Sequence, residues 1–103
     1  MTLSELAKHL EDTGLPVTYR AWPEGKAPEL PWICYLCEGS SNLFADGGVY
    51  HQTTEVVVEL YTKDKEPVTE AKVEAVLHDF HWKKEEDYIS TEWCYQIRYE
   101  IEV

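Results

Sequence analysis

Hydrophobic residues near the start of the chain recur at the spacing of an amphipathic helix. Thr2 and Glu5 stand three apart, as in a capping box, in which each side chain hydrogen-bonds to the backbone of the other residue. Gly14 and Pro16 then favour the end of a helix. The pattern predicts a short helix that starts after Thr2 and buries one apolar stripe, formed by Leu3, Leu6, Ala7 and Leu10.

Apolar and polar residues alternate along several later segments, which is typical of β-strands with one buried face. We predict strands over residues 17–22, 32–38 and 49–62, and a shorter strand around residues 88–90. The strictest alternation lies in the tail, where the residues expected on the buried face are Trp93, Tyr95, Ile97, Tyr99, Ile101 and Val103.

A second helix is predicted from Pro67, because proline suits the first position of a helix, and it is expected to end near His81. Its apolar stripe is Val73, Val76, Leu77 and Phe80. Together the elements predict an α+β fold of two layers, in which a mainly antiparallel sheet of about four strands carries two helices on one face. The expected order is α-β-β-β-α-β. The 103 residues of the chain fit a single domain, residues 1–103.

The segment between the second and third strands contains a further apolar group. Glycines and small polar residues at 39–42 and 46–48 flank Leu43, Phe44 and Ala45. Such flanks are typical of turns and loops. We therefore predict a long hairpin loop with an exposed apolar tip, and we expect Leu43 and Phe44 to contact a partner.

The chain is strongly acidic, with 20 acidic side chains against 9 basic ones, a net charge of -11 and a pI near 4.6. Sequence-specific nucleic-acid binding is therefore not expected, because it relies on Lys and Arg facing phosphates. The excess acid fits a self-repelling surface, or a surface that repels or mimics DNA. The sequence shows no long apolar run and no apolar signal core, so we expect a cytoplasmic protein without a membrane partner.

Cys34 and Cys37 have the Cys-x-x-Cys spacing that zinc sites and redox sites share. On a strand, however, residues three apart point to opposite faces, so packed free thiols are the simpler interpretation. His78 and His81 follow about forty residues later, which exceeds the usual spacing between pairs of zinc ligands. We predict no metal site and no cofactor.

Enzymatic signatures are also missing from the sequence, which has no Gly-rich phosphate loop, no Gly-x-Ser-x-Gly elbow and no His-Glu-x-x-His helix. Loop-like or solvent-facing positions are expected for the carboxylates of Glu85, Glu86, Asp87, Glu100 and Glu102, with no sign of a buried acid–base pair. We therefore predict a protein without catalytic residues. A small enzyme that uses Cys37 or a histidine is the least favoured alternative.

Aromatic residues are unusually frequent, with four Trp and seven Tyr. Trp22, Trp32 and Tyr50 stand beside predicted loops or strand ends. Aromatic side chains at such places either rim a small core or anchor protein interfaces. We include these three residues, with Leu43 and Phe44, among the candidate interface residues.

Four segments together resemble a phage family: residues 15–25 (Leu-Pro-Val-Thr-Tyr-Arg-Ala-Trp-Pro-Glu-Gly), 27–32 (Ala-Pro-Glu-Leu-Pro-Trp), 42–47 (Asn-Leu-Phe-Ala-Asp-Gly) and 56–63. The family comprises small tail-component proteins encoded in prophages of Gram-positive bacteria, in the neck region between the head and tail genes. The similarity runs over nearly the whole chain, and its motifs are turn and strand sequences.

The resemblance implies a tail terminator or head–tail joining protein with a two-layer α+β fold. Such proteins assemble into a hexameric ring that caps the tail tube and meets the head connector, so the implied partners are further copies of the chain and those two virion proteins. The implied location is the host cytoplasm during assembly and then the neck of the virion. The alternative that the charge leaves open is an acidic binding module or DNA mimic that inhibits a host protein.

Overall fold

The computed structural model of the chain describes the backbone of residues 1–45 and 48–103, and the side chains of residues 1–39 and 54–103. Helix α1 spans Leu3–Glu11 and helix α2 spans Pro67–Val76. The strands are β1 (Val17–Tyr19), β2 (Trp32–Ala45), β3 (Gly48–Thr62), β4 (Lys83–Ile89) and β5 (Cys94–Glu102). The predicted α+β class is confirmed, with five strands in place of about four.

All five strands form one sheet in the order β1-β2-β3-β5-β4. The pairs β2–β3, β3–β5 and β4–β5 are antiparallel, whereas β1 pairs with β2 in parallel. β1 is shorter than the predicted strand over residues 17–22. Arg20 ends it, because its φ of 66° lies in the left-handed region, which does not continue a strand.

The core of the described residues lies between the two helices and one face of the sheet. It consists of Leu6, Leu10, Ile33, Val56, Val58, Leu60, Val73, Leu77, Ile97, Tyr99 and Ile101. Because burial of one large apolar side chain stabilises a fold by about 1.5–3 kcal/mol, this cluster is the main source of stability. The prediction of two helices on one face of the sheet is confirmed.

Both helices begin where the sequence predicts. The Glu5 amide donates to Thr2 Oγ1 (3.2 Å) and the Thr2 amide donates to Glu5 Oε1 (3.3 Å), which forms the capping box. α2 ends at Val76, not near His81, because Leu77 already has a non-helical ψ of 8°. Among the described residues, no helix is long and apolar enough to cross a membrane.

The predicted hairpin loop around residues 43–45 is wrong as secondary structure, because β2 and β3 continue through it as paired strands. β5 pairs with β3 only as far as Glu55, and Val103 exchanges two backbone hydrogen bonds with Thr54. Beyond Thr54, β2 and β3 form five further pairs, from Ser41↔Thr53 to Ala45↔Gly48. Polar strand residues pair here as well as apolar ones. We call this two-stranded extension the hairpin arm.

Glu85, Glu86 and Asp87 do not lie in a loop, because they belong to β4, which pairs with β5 over seven positions. Their predicted solvent-facing position is confirmed. The predicted strand around residues 88–90 is only the end of β4. Every β4 residue is exposed except Ile89, which is half-buried. The strand therefore lacks the alternation of apolar and polar residues that would reveal it in the sequence.

Ion pairs attach β4 to α2. Glu70 is buried, and its carboxylate contacts Lys65 Nζ at 2.6 Å and Lys84 Nζ at 2.8 Å. Lys65 Nζ also contacts Glu86 (2.6 Å), and Lys84 Nζ also contacts Glu74 (2.7 Å). The Tyr99 hydroxyl donates to Glu74 Oε2 (2.7 Å). We call these residues the Glu70 network.

Candidate assembly surfaces

The five predicted interface residues fall at opposite ends of the β2–β3 ladder. Trp32 begins β2 opposite Tyr61, whereas Leu43 pairs with His51 close to the other end of the ladder. At about 3.3 Å per residue, roughly 35 Å of strand separates Trp32 from Leu43. The prediction therefore combined two surfaces, one beside Trp22 and one on the hairpin arm. The side chains of the arm residues lie outside the described part of the structure, so their exposure stays a prediction: Leu43, Phe44 and Tyr50.

Trp22 and Trp32 do meet, on the sheet face opposite the helices. Their rings are edge-on with 5.8 Å between centroids, and the Trp32 ring lies 4.5 Å from that of Tyr61. The connection at residues 23–31, which contains three prolines, returns the chain from Trp22 to Trp32. The rings border a cleft of about 460 Å³, the aromatic cleft, whose other lining residues include Leu30, Cys34, Ile89 and Cys94.

A polar cluster lies beside this cleft. Glu59 Oε1 accepts from Cys34 Sγ (3.1 Å) and from the Tyr61 hydroxyl (3.2 Å). Gln96 Nε2 donates to Glu59 Oε2 (3.2 Å) and to the Tyr61 hydroxyl (2.8 Å). Burial, followed by the hydrogen bond to Glu59, raises the pKa of Cys34 to about 12. The thiol therefore stays protonated at neutral pH, where it serves as a hydrogen-bond donor and is a poor nucleophile.

Trp93 is an exposed aromatic residue that the sequence pattern did not reveal as a candidate interface residue. The tail pattern predicts it on the buried face, but it precedes β5 and is 75% exposed. Its φ of 55° lies in the left-handed region, which is unfavourable for a bulky residue. Its neighbours Glu92 and Cys94 both line the aromatic cleft. The alternation of apolar and polar residues could not show that Trp93 is exposed, because Trp93 only extends the β5 pattern by one residue.

The cysteine and histidine pairs do not converge. Cys37 packs against the core on the helix side, whereas Cys34 contacts Glu59 on the other face, as strand alternation predicts. His78 is exposed at the end of α2, where its Nδ1 donates to the Ala75 carbonyl (2.8 Å). Among the residues that the structure describes, no group of three or more potential ligands is placed to hold a metal ion.

A second concave region, the acidic groove, lies near the end of the sheet where the hairpin arm begins. It has a volume of about 860 Å³. Its acidic lining residues are Glu38, Glu55, Asp79, Glu100 and Glu102, and Phe80, His81 and Trp82 form part of its wall. Arg98 forms ion pairs with Glu38 and, at 3.7 Å, with Glu100. Part of the negative charge is thus compensated within the chain.

No protein-family model and no curated protein matches the chain.

Proposed function

We propose that the protein is a structural component of a phage or prophage neck. In this proposal it is a tail terminator or head–tail joining subunit that assembles with its own copies into a hexameric ring, caps the tail tube and meets the head connector. It acts in the host cytoplasm during assembly and then in the virion, and it carries out no catalysis.

The hairpin arm is the observation that carries this proposal. It continues for five residue pairs beyond the last backbone contact with β5, which is about 17 Å of strand. An isolated two-stranded ribbon is marginally stable in water, so a long arm favours contact with another polypeptide. The arm also contains residues 42–45, which belong to one of the four segments that resemble the phage family.

The aromatic cleft supports the proposal from the other end of the ladder. A ring needs head-to-tail contacts, in which each copy uses two different surfaces. The arm and the cleft are two such surfaces, separated by the length of β2. Exposed Trp93 beside the cleft supplies the kind of aromatic anchor that carries much of the energy in protein interfaces. The net charge of -11 suits a ring through which DNA passes without binding.

The test is attachment to a tail tube. Purified protein is mixed with tubes of the cognate tail-tube protein, and tube ends are imaged by electron microscopy. The expected result is a ring on tube ends with the wild type, and bare ends with Phe44→Asp, because a charge replaces the apolar residue near the tip of the arm. Far-UV circular dichroism and a melting curve check that Phe44→Asp folds.

Val68→Asp is the matched control. Val68 is 74% exposed on α2 and belongs neither to the hairpin arm nor to the lining of the aromatic cleft, so the same change to aspartate should leave capping intact. Caps that form equally well with folded Phe44→Asp would contradict the role of the arm. Wild-type protein that never attaches to tubes or to the connector would contradict the neck function itself.

The acidic groove is the observation that favours the alternative, an acidic binding module or DNA-mimic inhibitor. Five carboxylates around one concavity would suit a basic partner. Salt dependence separates the two functions, because binding by the groove would weaken steeply with ionic strength and would be lost in Glu102→Lys. Attachment through the arm and the cleft would survive both changes.

A further inference from the structure

We propose that β4 is a self-recognition edge, through which two copies of the chain pair their sheets around a two-fold axis at Glu85. β4 is the last strand of the sheet and pairs with β5 on one side only. Its outer side has no strand partner within the described residues. This inference does not rest on the proposed function, because it uses neither the hairpin arm nor the aromatic cleft.

The charge pattern of β4 is complementary to itself when the strand is reversed. In an antiparallel pair centred on Glu85, Lys83 stands opposite Asp87 of the second copy, and Lys84 stands opposite Glu86 of the second copy. Each of these contacts occurs twice by symmetry. Opposite charges that face each other across strands are stabilising, whereas like charges are destabilising. A parallel pair in register would place every charge against its own kind.

The faces of the strand agree with this register. Lys84 and Glu86 contact residues Glu70 and Lys65 at the helix layer, so Lys83, Glu85 and Asp87 lie on the opposite face. Lys83 is available for a contact with a second copy, because its side chain is 72% exposed and its ion pair with Glu85 is long (3.6 Å). The contact between Lys83 and Asp87 therefore carries most of the charge recognition.

Two exposed aromatic residues flank the charged run at symmetric positions. Trp82 is 36% exposed and Tyr88 is 46% exposed. Each has one ring neighbour in β5, Tyr99 for Trp82 and Tyr95 for Tyr88. In the register centred on Glu85, Trp82 stands opposite Tyr88 of the second copy. Aromatic cross-strand pairs stabilise a sheet, so both ends of the paired edge gain an apolar contact.

Mixed charge also explains why the edge selects its own copy. Native proteins commonly place charged residues on edge strands to prevent non-specific pairing. A run of one sign would exclude every partner of that sign, including a second copy. The symmetric run of positive and negative charges repels most other edge strands, but it is complementary to the same run in a second copy. The paired strands have only seven residues each, so the interface is small and the dimer should be weak. We expect a dissociation constant on the order of 10 µM.

Charge reversal tests the register. Light scattering after size exclusion, or sedimentation velocity, is expected to detect a concentration-dependent dimer of the wild type. Lys83→Glu alone and Asp87→Lys alone each place like charges opposite one another twice, so each should raise the dissociation constant about 10- to 100-fold. The double variant Lys83→Glu with Asp87→Lys restores opposite charges and should dimerise like the wild type.

An equimolar mixture of the two single variants is the sharpest test. In the heterodimer, the two introduced residues have opposite charges and face each other, and the native Lys83 of one copy faces the native Asp87 of the other, so mixing should restore dimers. Lys72→Glu on α2 and Asp64→Lys in the turn after β3 are the matched controls, and neither should change dimerisation. A Glu85→Gln variant removes the one like-charge contact at the axis and should tighten the dimer about 2- to 10-fold.

Disulfide trapping tests the position of the axis. Glu85→Cys protein should form a covalent dimer under mild oxidation, whereas wild-type protein and Asp64→Cys should not. A wild type that remains monomeric up to about 100 µM would overturn the inference. A dimer or ring that persists unchanged in Lys83→Glu and in Asp87→Lys, or that mixing does not restore, would assign self-association to another surface and would equally overturn it.

Discussion

Replacing Glu70 by glutamine tests whether polar contacts hold α2 against the edge of the sheet. Glu70 is 3% exposed, and its carboxylate accepts from Lys65 at 2.6 Å and contacts Lys84 at 2.8 Å. Glutamine keeps the volume but removes the charge, and its amide group presents two donors to two ammonium groups. The variant therefore leaves buried donors and acceptors poorly matched.

The cost can be worked out from these contacts. Each hydrogen bond to a charged group contributes about 1.5–3 kcal/mol net when it is desolvated. The side chains of Lys65 and Lys84 are 44% and 33% exposed, so both lysines can recover water when the carboxylate is lost. Discounting for that solvation, we expect Glu70→Gln to lower the free energy of unfolding by about 2 kcal/mol. For a chain of this size the melting temperature should fall by roughly 8–16 °C.

Urea denaturation followed by tryptophan fluorescence and by circular dichroism measures the difference, with Glu24→Gln in the exposed connection as the control. Burial raises the pKa of Glu70, but the hydrogen bonds from Lys65 and Lys84 outweigh this effect, and the net pKa lies below 4.5. Because the pKa is depressed in the folded state, the stabilisation is present above about pH 4.5 and is lost as the pH falls further. Equal stability of variant and wild type at pH 7, or a difference that persists unchanged at pH 3, would refute this account.

Three further predictions concern other parts of the molecule. Thr2→Ala removes the capping box of α1 and should lower the free energy of unfolding by about 1 kcal/mol in urea titrations, whereas Ser4→Ala should not. Trp93→Gly relieves a left-handed backbone and should stabilise the fold by up to about 1 kcal/mol in the same assay, yet weaken attachment to tail tubes. Burial raises the pKa of Cys34 from 9.0 to about 12, so the unfolded state loses this proton first and stability should fall between pH 9 and 12. The stability of Cys34→Ala should fall less steeply with pH in that range. An identical slope for variant and wild type would contradict the raised pKa of the Cys34 thiol.

Apolar periodicity predicted the parts of the fold that apolar burial creates. The stripe of α1 and the alternation in β5 place Leu6, Leu10, Ile97 and Tyr99 in the core, where the structure has them. β4 could not be predicted in this way, because nearly all of its side chains are exposed. Its pairing depends on backbone hydrogen bonds to β5 and on contacts with α2 that are distant in sequence.

The candidate assembly surfaces were only partly predictable for a related reason. The aromatic excess pointed to Trp22 and Trp32, and these residues do meet beside a cleft. Nothing local in the sequence could show that Leu43 lies at the far end of the same ladder, because turn residues at 39–42 were equally compatible with a loop. Trp93 was placed on the wrong side because its backbone leaves the strand one residue before β5 begins.

The order of the β4 edge depends on the Glu70 network. β4 buries almost no apolar surface of its own. Its position relative to the helix layer is therefore set by ion pairs, which join Lys84 to Glu70 and Glu74 and join Lys65 to Glu86. A strand held by such contacts opens more readily than the core strands. Loss of the carboxylate in Glu70→Gln should therefore speed hydrogen exchange in β4 more than in β3. The same variant should weaken pairing between copies, because the edge must be ordered before a second edge can bind to it.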